Sequence, residues 1–97
     1  MDAAAVWKDY FARWPAEVNR AGVIVTNFDE QIPFDGFAVS ENMLLVERRN
    51  PDTLGARKIL LPYSAIVAVK IVDVVKVKAF ASFGFQESPR SKKGGEE

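Results

Sequence analysis

The first twenty residues carry apolar side chains at the spacing of a helix. Five of these side chains recur at steps of three and four: Trp7, Tyr10, Phe11, Trp14 and Val18. This spacing gathers them on one helical face and predicts a mainly helical segment over residues 2–20. Two Trp at such spacing can line a ligand site or pack against a core, and packing is the favoured interpretation. Pro15 suits a first helical turn better than a helix interior. We therefore expect a kink or break at Trp14-Pro15, followed by a short helix that ends at Gly22.

After Gly22 the apolar period shortens to that of β-strands. Five runs rich in β-branched or aromatic residues are separated by polar, Pro-containing or Gly-containing breaks: residues 23–28, 32–39, 43–49, 57–62 and 65–75. Gly36 lies inside the second run, where the missing Cβ permits either a sharp bend or a simple bulge. The pattern predicts a mainly β protein with an N-terminal α-helix, whose five short antiparallel strands form a small, strongly bent barrel.

The C-terminal part of the chain has a mixed pattern. Residues 74–85 fit both a two-residue alternation and a helical face, so the sequence leaves strand and helix open. Residues 86–97 contain no aliphatic or aromatic side chain and have the composition of a disordered tail. The expected organisation is therefore a helical segment over 1–22, a small barrel with a C-terminal extension over 23–85, and a disordered tail over 86–97.

Composition limits the function classes. A chain of 97 residues, 48% of them hydrophobic, has the size of one domain. It has no Cys and no His, so disulfides, thiolate metal sites and a histidine base are excluded. The carboxylates available for acid–base chemistry lie near predicted turns: Asp29, Glu30, Asp35, Glu41 and Asp52. No pair of them has a spacing that indicates a shared site, so we expect no enzyme activity, no metal and no cofactor. No apolar run is long enough for a membrane span and the N-terminus is not a secretory signal, which predicts a cytoplasmic, soluble protein.

Charge is unevenly distributed although the net charge is zero. Residues 1–47 hold 8 acids against 3 bases, whereas residues 48–97 hold 5 acids against 10 bases, so the halves carry −5 and +5. Such asymmetry can guide head-to-tail contact between identical subunits or direct a basic face towards an acidic partner. The alternative is that both signs simply cover a soluble surface.

The connection between the third and fourth predicted strands is a candidate nucleic-acid contact. Residues 50–56 read as a hairpin tip, in which Asn50 or Asp52 can close an Asx-turn and Gly55 can supply a positive φ. Four cations cluster at the paired strand ends: Arg48, Arg49, Arg57 and Lys58. They can engage a few phosphates, or they can serve as ordinary solubility and anti-aggregation devices at strand ends.

The order of one helix and five short strands, with Gly36 in the second strand, resembles the Sm-like family. Its bacterial RNA-chaperone branch, Hfq, is the most similar, over about residues 16–73. The resemblance implies a ring of six or seven copies in which the fourth and fifth strands of neighbours pair, with RNA bound at the pore and on the ring faces. The stretch "SENMLLV" is similar to the loop and third strand that hold a pore-lining Asp or Asn, so Asn42 is the implied base-facing residue.

Two further inferences concern the partners. Where the RNA chaperone has a Lys-His pair, this chain has Tyr63 and Ser64, and Tyr63 can either stack on a base or pack at a strand end. The runs 57–62 and 65–75 are too apolar for exposed edges, so we expect a homo-oligomer by strand-edge pairing, or shielding by the helix and the C-terminal segment. RNA binding by an Sm-like oligomer is the first functional hypothesis. The alternative is a protein-interaction or scaffold module with a small β-barrel, SH3-like or Sm-like in shape, and no nucleic-acid binding.

Overall fold

One helix and six strands make up the protein in the computed structural model, which describes residues 2–87. These elements are α1 (Ala3–Ala12), β1 (Gly22–Thr26), β2 (Gln31–Phe34), β3 (Gly36–Val39), β4 (Met43–Glu47), β5 (Lys58–Pro62) and β6 (Ile66–Lys70). Two 3₁₀ segments complete the fold: Tyr63–Ala65 joins β5 to β6, and Val77–Phe83 follows β6. The latter is called the C-terminal 3₁₀ segment below.

The helix α1 is shorter than the apolar spacing predicts. The Asp2 carboxylate accepts a hydrogen bond from the Ala5 amide at 2.8 Å, which caps the N-terminus of α1. The short helix expected after Pro15 is absent, because residues 16–18 form a turn in which the Val18 amide donates to the Pro15 carbonyl. The Trp14 indole N–H donates to the Val18 carbonyl at 2.9 Å and holds this turn against the fold. Gly22 begins β1 instead of ending a helix.

The strands form two three-stranded antiparallel sheets, with the orders β2-β1-β6 and β3-β4-β5. The predicted five-stranded barrel is therefore wrong, since the two sheets are separate and neither closes on itself. The predicted second strand divides at Asp35, whose amide donates to the Glu47 carbonyl of the second sheet at 3.0 Å. The buried turn Tyr63–Ala65 carries the chain from one sheet to the other, so β5 and β6 end as edges of different sheets.

The core lies between the two sheets and α1. Phe11 is 1% exposed and its ring centroid is 5.0 Å from that of Phe37 in β3. Trp7, Tyr10 and Trp14 are partly buried against the same cluster, which confirms the packing interpretation of the aromatic helix face. The buried cluster comprises Phe11, Ile24, Ile32, Phe34, Phe37, Leu44, Val46, Leu61, Tyr63, Ala65 and Ile66.

The segment after β6 is helical rather than extended. β6 ends at Lys70, and the C-terminal 3₁₀ segment is kinked at Phe80 and ends before Gly84, which has φ of 90°. Phe83 packs on the Tyr10 ring of α1 with centroids 4.9 Å apart, and the Arg13 guanidinium lies 4.2 Å from the Phe83 centroid. No residue of this segment is fully buried. Beyond Glu87, the predicted disordered tail lies outside the described residues.

Candidate functional site

The hairpin of β4 and β5 carries the predicted basic cluster. Its strands pair antiparallel from Met43 opposite Pro62 to Glu47 opposite Lys58. The Arg48 amide donates to the Arg57 carbonyl at 2.9 Å, which extends the pairing one step beyond the strands. We call residues 48–58 the basic tip.

Asp52 organises the turn of the basic tip. Its carboxylate oxygen Oδ1 accepts hydrogen bonds from the amides of Leu54 and Ala56, both at 2.8 Å. Gly55 has φ of 92°, and its amide donates to the Asp52 carbonyl at 2.9 Å. These bonds hold the pKa of Asp52 below its usual 3.8, chiefly because the amides of Ala56 and Leu54 stabilise the carboxylate. The Asx-turn and the positive φ predicted from the sequence are thus confirmed.

The four cations of the basic tip are not equivalent. The Arg48 guanidinium Nε donates to the Asn50 carbonyl at 2.9 Å, within its own turn. Arg49 Nε lies 3.2 Å from the Asp35 carboxylate in an ion pair. Arg57 and Lys58 are exposed, and neither forms an ion pair with another residue in the described range 2–87. Two of the predicted cations therefore face solvent without an internal partner.

Leu54 is a feature of the basic tip that the sequence analysis missed. Its side chain is 94% exposed, although it belongs to the ordered Asp52 turn. In the sequence, the indication of this feature is a single leucine within the turn-forming residues Pro, Asp, Thr and Gly. An apolar side chain held in this way at the end of a hairpin is suited to contact with another apolar surface.

Asn42 and Tyr63 lie at the other end of the hairpin. Asn42 is exposed in the loop between β3 and β4, where the Ser40 hydroxyl donates to the Met43 carbonyl at 2.7 Å. Tyr63 is 2% exposed, and its hydroxyl donates to the Ser40 carbonyl at 2.9 Å. Tyr63 therefore packs in the core and supports the loop that carries Asn42. Its ring is not presented to a base.

The predicted contact residues do not converge. Asn42 precedes β4 and Arg48 follows it, so six residue steps of extended chain separate them by about 20 Å. Gly36 opens β3 opposite Glu47, next to the division between the sheets. The structure thus forms two separate surfaces, one at the Asn42 loop and one at the basic tip.

The strand edges form a second kind of surface. Within residues 2–87, β5 and β6 each pair on one side only. Leu60 in β5 is 65% exposed and Val67 in β6 is 58% exposed. Across the second sheet Leu60 lies opposite Leu45, and Leu45 lies opposite Ala38, so an apolar row reaches the β5 edge.

An apolar cleft of about 850 Å³ lies between α1, β6 and the C-terminal 3₁₀ segment. Its walls include Trp7, Tyr10, Val69, Ile71, Phe80 and Phe83. Asp9 and Arg13 also line the cleft and form an ion pair with an N···O distance of 2.7 Å. The hydrogen bond from Arg13 lowers the pKa of Asp9, and burial raises the pKa of the Tyr10 hydroxyl. The charges in the cleft wall are thus mutually paired, and its remaining surface is mostly apolar.

Clusters of metal ligands and membrane-spanning helices are both absent from the part of the chain that the structure describes. Between residues 2 and 87 there is no group of three or more acidic side chains placed to hold a metal ion. In the same range no helix has both the length and the apolar character needed to cross a lipid bilayer.

Relatives provide no independent evidence on the function. Comparison of the chain with protein-family models, with curated proteins and with solved structures found no match. The Sm-like resemblance therefore stays a prediction from the sequence. The function is therefore inferred from three features of the fold: the basic tip, the strand edges and the cleft.

Proposed function

We propose that the protein is a non-catalytic interaction module that associates with copies of itself through the outer edges of β5 and β6. The observation that carries this proposal is the exposure of Leu60 and Val67 on these two strands. Both strands have five residues, so they can overlap over most of their length; Pro62 at the end of β5 has no amide hydrogen, and β6 has a bulge opposite Val25 and Thr26 of β1. Pairing would satisfy edge amides and carbonyls, and each cross-strand pair of apolar side chains would contribute about 0.2–1 kcal/mol.

The other two sheet edges are poorly suited to pairing. β2 contains Pro33 at an interior position, where it has no amide hydrogen to donate, whereas Pro62 of β5 is the last residue of its strand. Both β3 and β6 lie beside α1, and in β3 the Phe37 carbonyl also accepts a hydrogen bond from Arg20 at 3.4 Å. The Arg20 guanidinium also covers the Phe37 ring at 4.0 Å. These features leave β5 and β6 as the edges open to a partner, and the Sm-like resemblance implies the same pair.

The geometry favours this function over RNA binding. Tyr63, the implied stacking residue, is buried, and Asn42 lies about 20 Å from Arg48 along β4. Two of the four cations have internal partners. A site that reads bases would require aromatic and polar groups on one accessible surface, which these residues do not form.

RNA binding remains the second candidate because Arg57 and Lys58 face solvent at the basic tip. Contacts would be mostly to phosphate, so affinity would be modest, tolerant of sequence and strongly salt-dependent. Replacing both residues with alanine should then flatten the slope of log affinity against log salt by about 1.4 for a single strand. Equal binding of mixed-sequence RNA by the parent and the double variant would reject the tip as an RNA contact.

Light scattering over a range of protein concentrations, with the 260-to-280 nm absorbance ratio, tests both candidates. We expect a mass that rises above 10.8 kDa with concentration, without co-purifying nucleic acid. Val67→Lys should lower the mass, since a charged side chain in the middle of an edge strand opposes pairing with another strand. Val39→Lys, at a residue of β3 that is 44% exposed, is the matched control. A parent protein of 10.8 kDa at high micromolar concentration would reject self-association.

A further inference from the structure

We propose that Leu54 of one copy docks in the apolar cleft of a second copy, next to the paired β5 and β6 edges. This inference rests on the proposed self-association and names the contact that extends it. The side chain and the cleft are both built into the fold, and each lacks an apolar partner within residues 2–87. Leu54 is 94% exposed at the basic tip, and the cleft has a volume of about 850 Å³.

Strand order places the two surfaces at the same end of the interface. We take β5 of one copy and β6 of the other to pair antiparallel with their centres aligned. Leu60 of one copy then lies opposite Ala68 of the other. The chain that precedes β5 then runs beside the chain that follows β6. The basic tip directly precedes β5, and Ile71, which directly follows β6, lines the cleft. Pairing of the edges would therefore carry Leu54 to the cleft.

One ion pair across the interface supports the same arrangement. With Leu60 opposite Ala68, Arg57 falls opposite Ile71, two residues from Asp73, and Lys58 falls opposite Lys70. Both lysine side chains are exposed and can point away from each other into solvent. Asp73 is exposed, and its only described contact is a hydrogen bond from Asn19 at 2.6 Å. An ion pair between Arg57 and Asp73 of the second copy would hold the tip at the mouth of the cleft.

The occupant of the cleft is better sought in a second copy than in residues 88–97 of the same chain. Residues 88–97 contain no aliphatic or aromatic side chain, so they offer nothing that would be stabilised by an apolar wall. Leu54 is both apolar and held in a fixed turn by Asp52, so its docking would cost little conformational entropy.

Cross-linking tests the contact directly because the chain has no native cysteine. A Leu54→Cys protein is mixed with a larger, tagged Val77→Cys protein, since Val77 lines the cleft and is 39% exposed. A short thiol-reactive cross-linker should join the two species at low protein concentration. Val39→Cys in place of Val77→Cys is the control and should give little product. Equal yields from the two mixtures would overturn the proposal.

Two substitution series separate this contact from the edge pairing. Leu54→Ser should weaken self-association about 10-fold or more without changing the melting temperature of the monomer, and Leu54→Met should not. Arg57→Asp or Asp73→Arg alone should weaken it, and the two together should restore it. If Val67→Lys dissociates the protein but Leu54→Ser does not, edge pairing stands and docking in the cleft is rejected. If the parent protein is monomeric, both are rejected.

An exposed leucine among cations is also suited to contact with a lipid surface, which is the competing explanation for Leu54. Vesicles of phosphatidylcholine with phosphatidylserine provide the comparison. Binding to these vesicles that depends on Leu54, together with a mass unaffected by Leu54→Ser, would assign Leu54 to a membrane surface and overturn the proposal. We expect no such binding and a lowered mass.

Discussion

At the scale of single residues, two glycines at strand starts differ in what surrounds them. A Cβ at Gly22 would collide with the backbone carbonyl oxygen of Lys70 in the paired strand β6. A Cβ at Gly36 would meet the Glu47 carboxylate oxygen at 2.8 Å, and this side chain is exposed and free to move. Of these two glycines, Gly22 is thus the one at which a side chain would disturb the structure more, whereas the sequence pattern singled out Gly36.

This contrast predicts unequal effects of alanine. Gly22→Ala should lower the free energy of unfolding by about 1–3 kcal/mol, because backbone atoms must shift to relieve the contact. Gly36→Ala should change it by less than about 1 kcal/mol, since Glu47 can rotate away. Urea unfolding followed by tryptophan fluorescence measures both. A larger loss for Gly36→Ala would show that the bend between the sheets, rather than the approach of β6, requires glycine.

Asp52 predicts how the basic tip depends on pH. The folded pKa lies below the usual 3.8, so this carboxylate stabilises the turn fully above pH 3.8. The contribution is lost as pH falls through the folded pKa, where protonation weakens acceptance from the amides of Leu54 and Ala56. Amide exchange measured by NMR should show faster exchange at Leu54 and Ala56 in Asp52→Ala than in the parent at pH 6. The amides of β4 should be unaffected, and identical exchange at the tip would contradict the role of Asp52.

At the scale of elements, the C-terminal 3₁₀ segment depends on a few contacts with α1. Phe83 packs on Tyr10 and lies beneath the Arg13 guanidinium, and Arg13 Nη1 donates to the Ser82 carbonyl at 3.3 Å. No residue of the segment is fully buried. These contacts form one wall of the cleft, so the shape of the cleft depends on them.

Phe83→Ala should therefore release the segment while the sheets stay folded. An aromatic pair of this kind contributes about 0.5–1.5 kcal/mol beyond the burial of its area, so we expect a loss of at least that size in the free energy of unfolding. Hydrogen exchange should accelerate in residues 77–84 and remain slow in β1 and β4. Phe85→Ala is the control, because Phe85 is 59% exposed and contacts Phe80 rather than α1. Equal effects of the two substitutions would contradict the role of Phe83.

At the scale of the whole molecule, folding and self-association are linked. A partner that binds only the folded chain raises the melting temperature with concentration. We therefore expect the melting temperature of the parent protein to rise over a hundredfold range of concentration. Val67→Lys should show a concentration-independent value, as a monomer would. A parent melting temperature that does not change with concentration would contradict self-association in that range.

The sequence by itself determined the features that depend on nearby residues. The spacing of Trp7, Tyr10 and Phe11 predicted a helix with a packed face, and Asp52 and Gly55 predicted the turn at the basic tip. Such features follow from side-chain period and backbone chemistry within a few residues. Four of the five predicted runs correspond to single strands, with ends that differ by at most two residues except in the last run, where β6 ends at Lys70 rather than at residue 75.

Only the tertiary structure decided how these elements combine. The division of residues 32–39 between two sheets depends on the Asp35 amide reaching the Glu47 carbonyl, a hydrogen bond between distant parts of the chain. The burial of Tyr63 also depends on the folded arrangement, because the turn between the sheets places its ring inside the core. The separation of Asn42 from Arg48, by contrast, follows from the predicted strand over residues 43–49 alone. Local patterns specify which residues can form a strand, whereas sheet membership and accessibility are set by contacts that the chain makes only when folded.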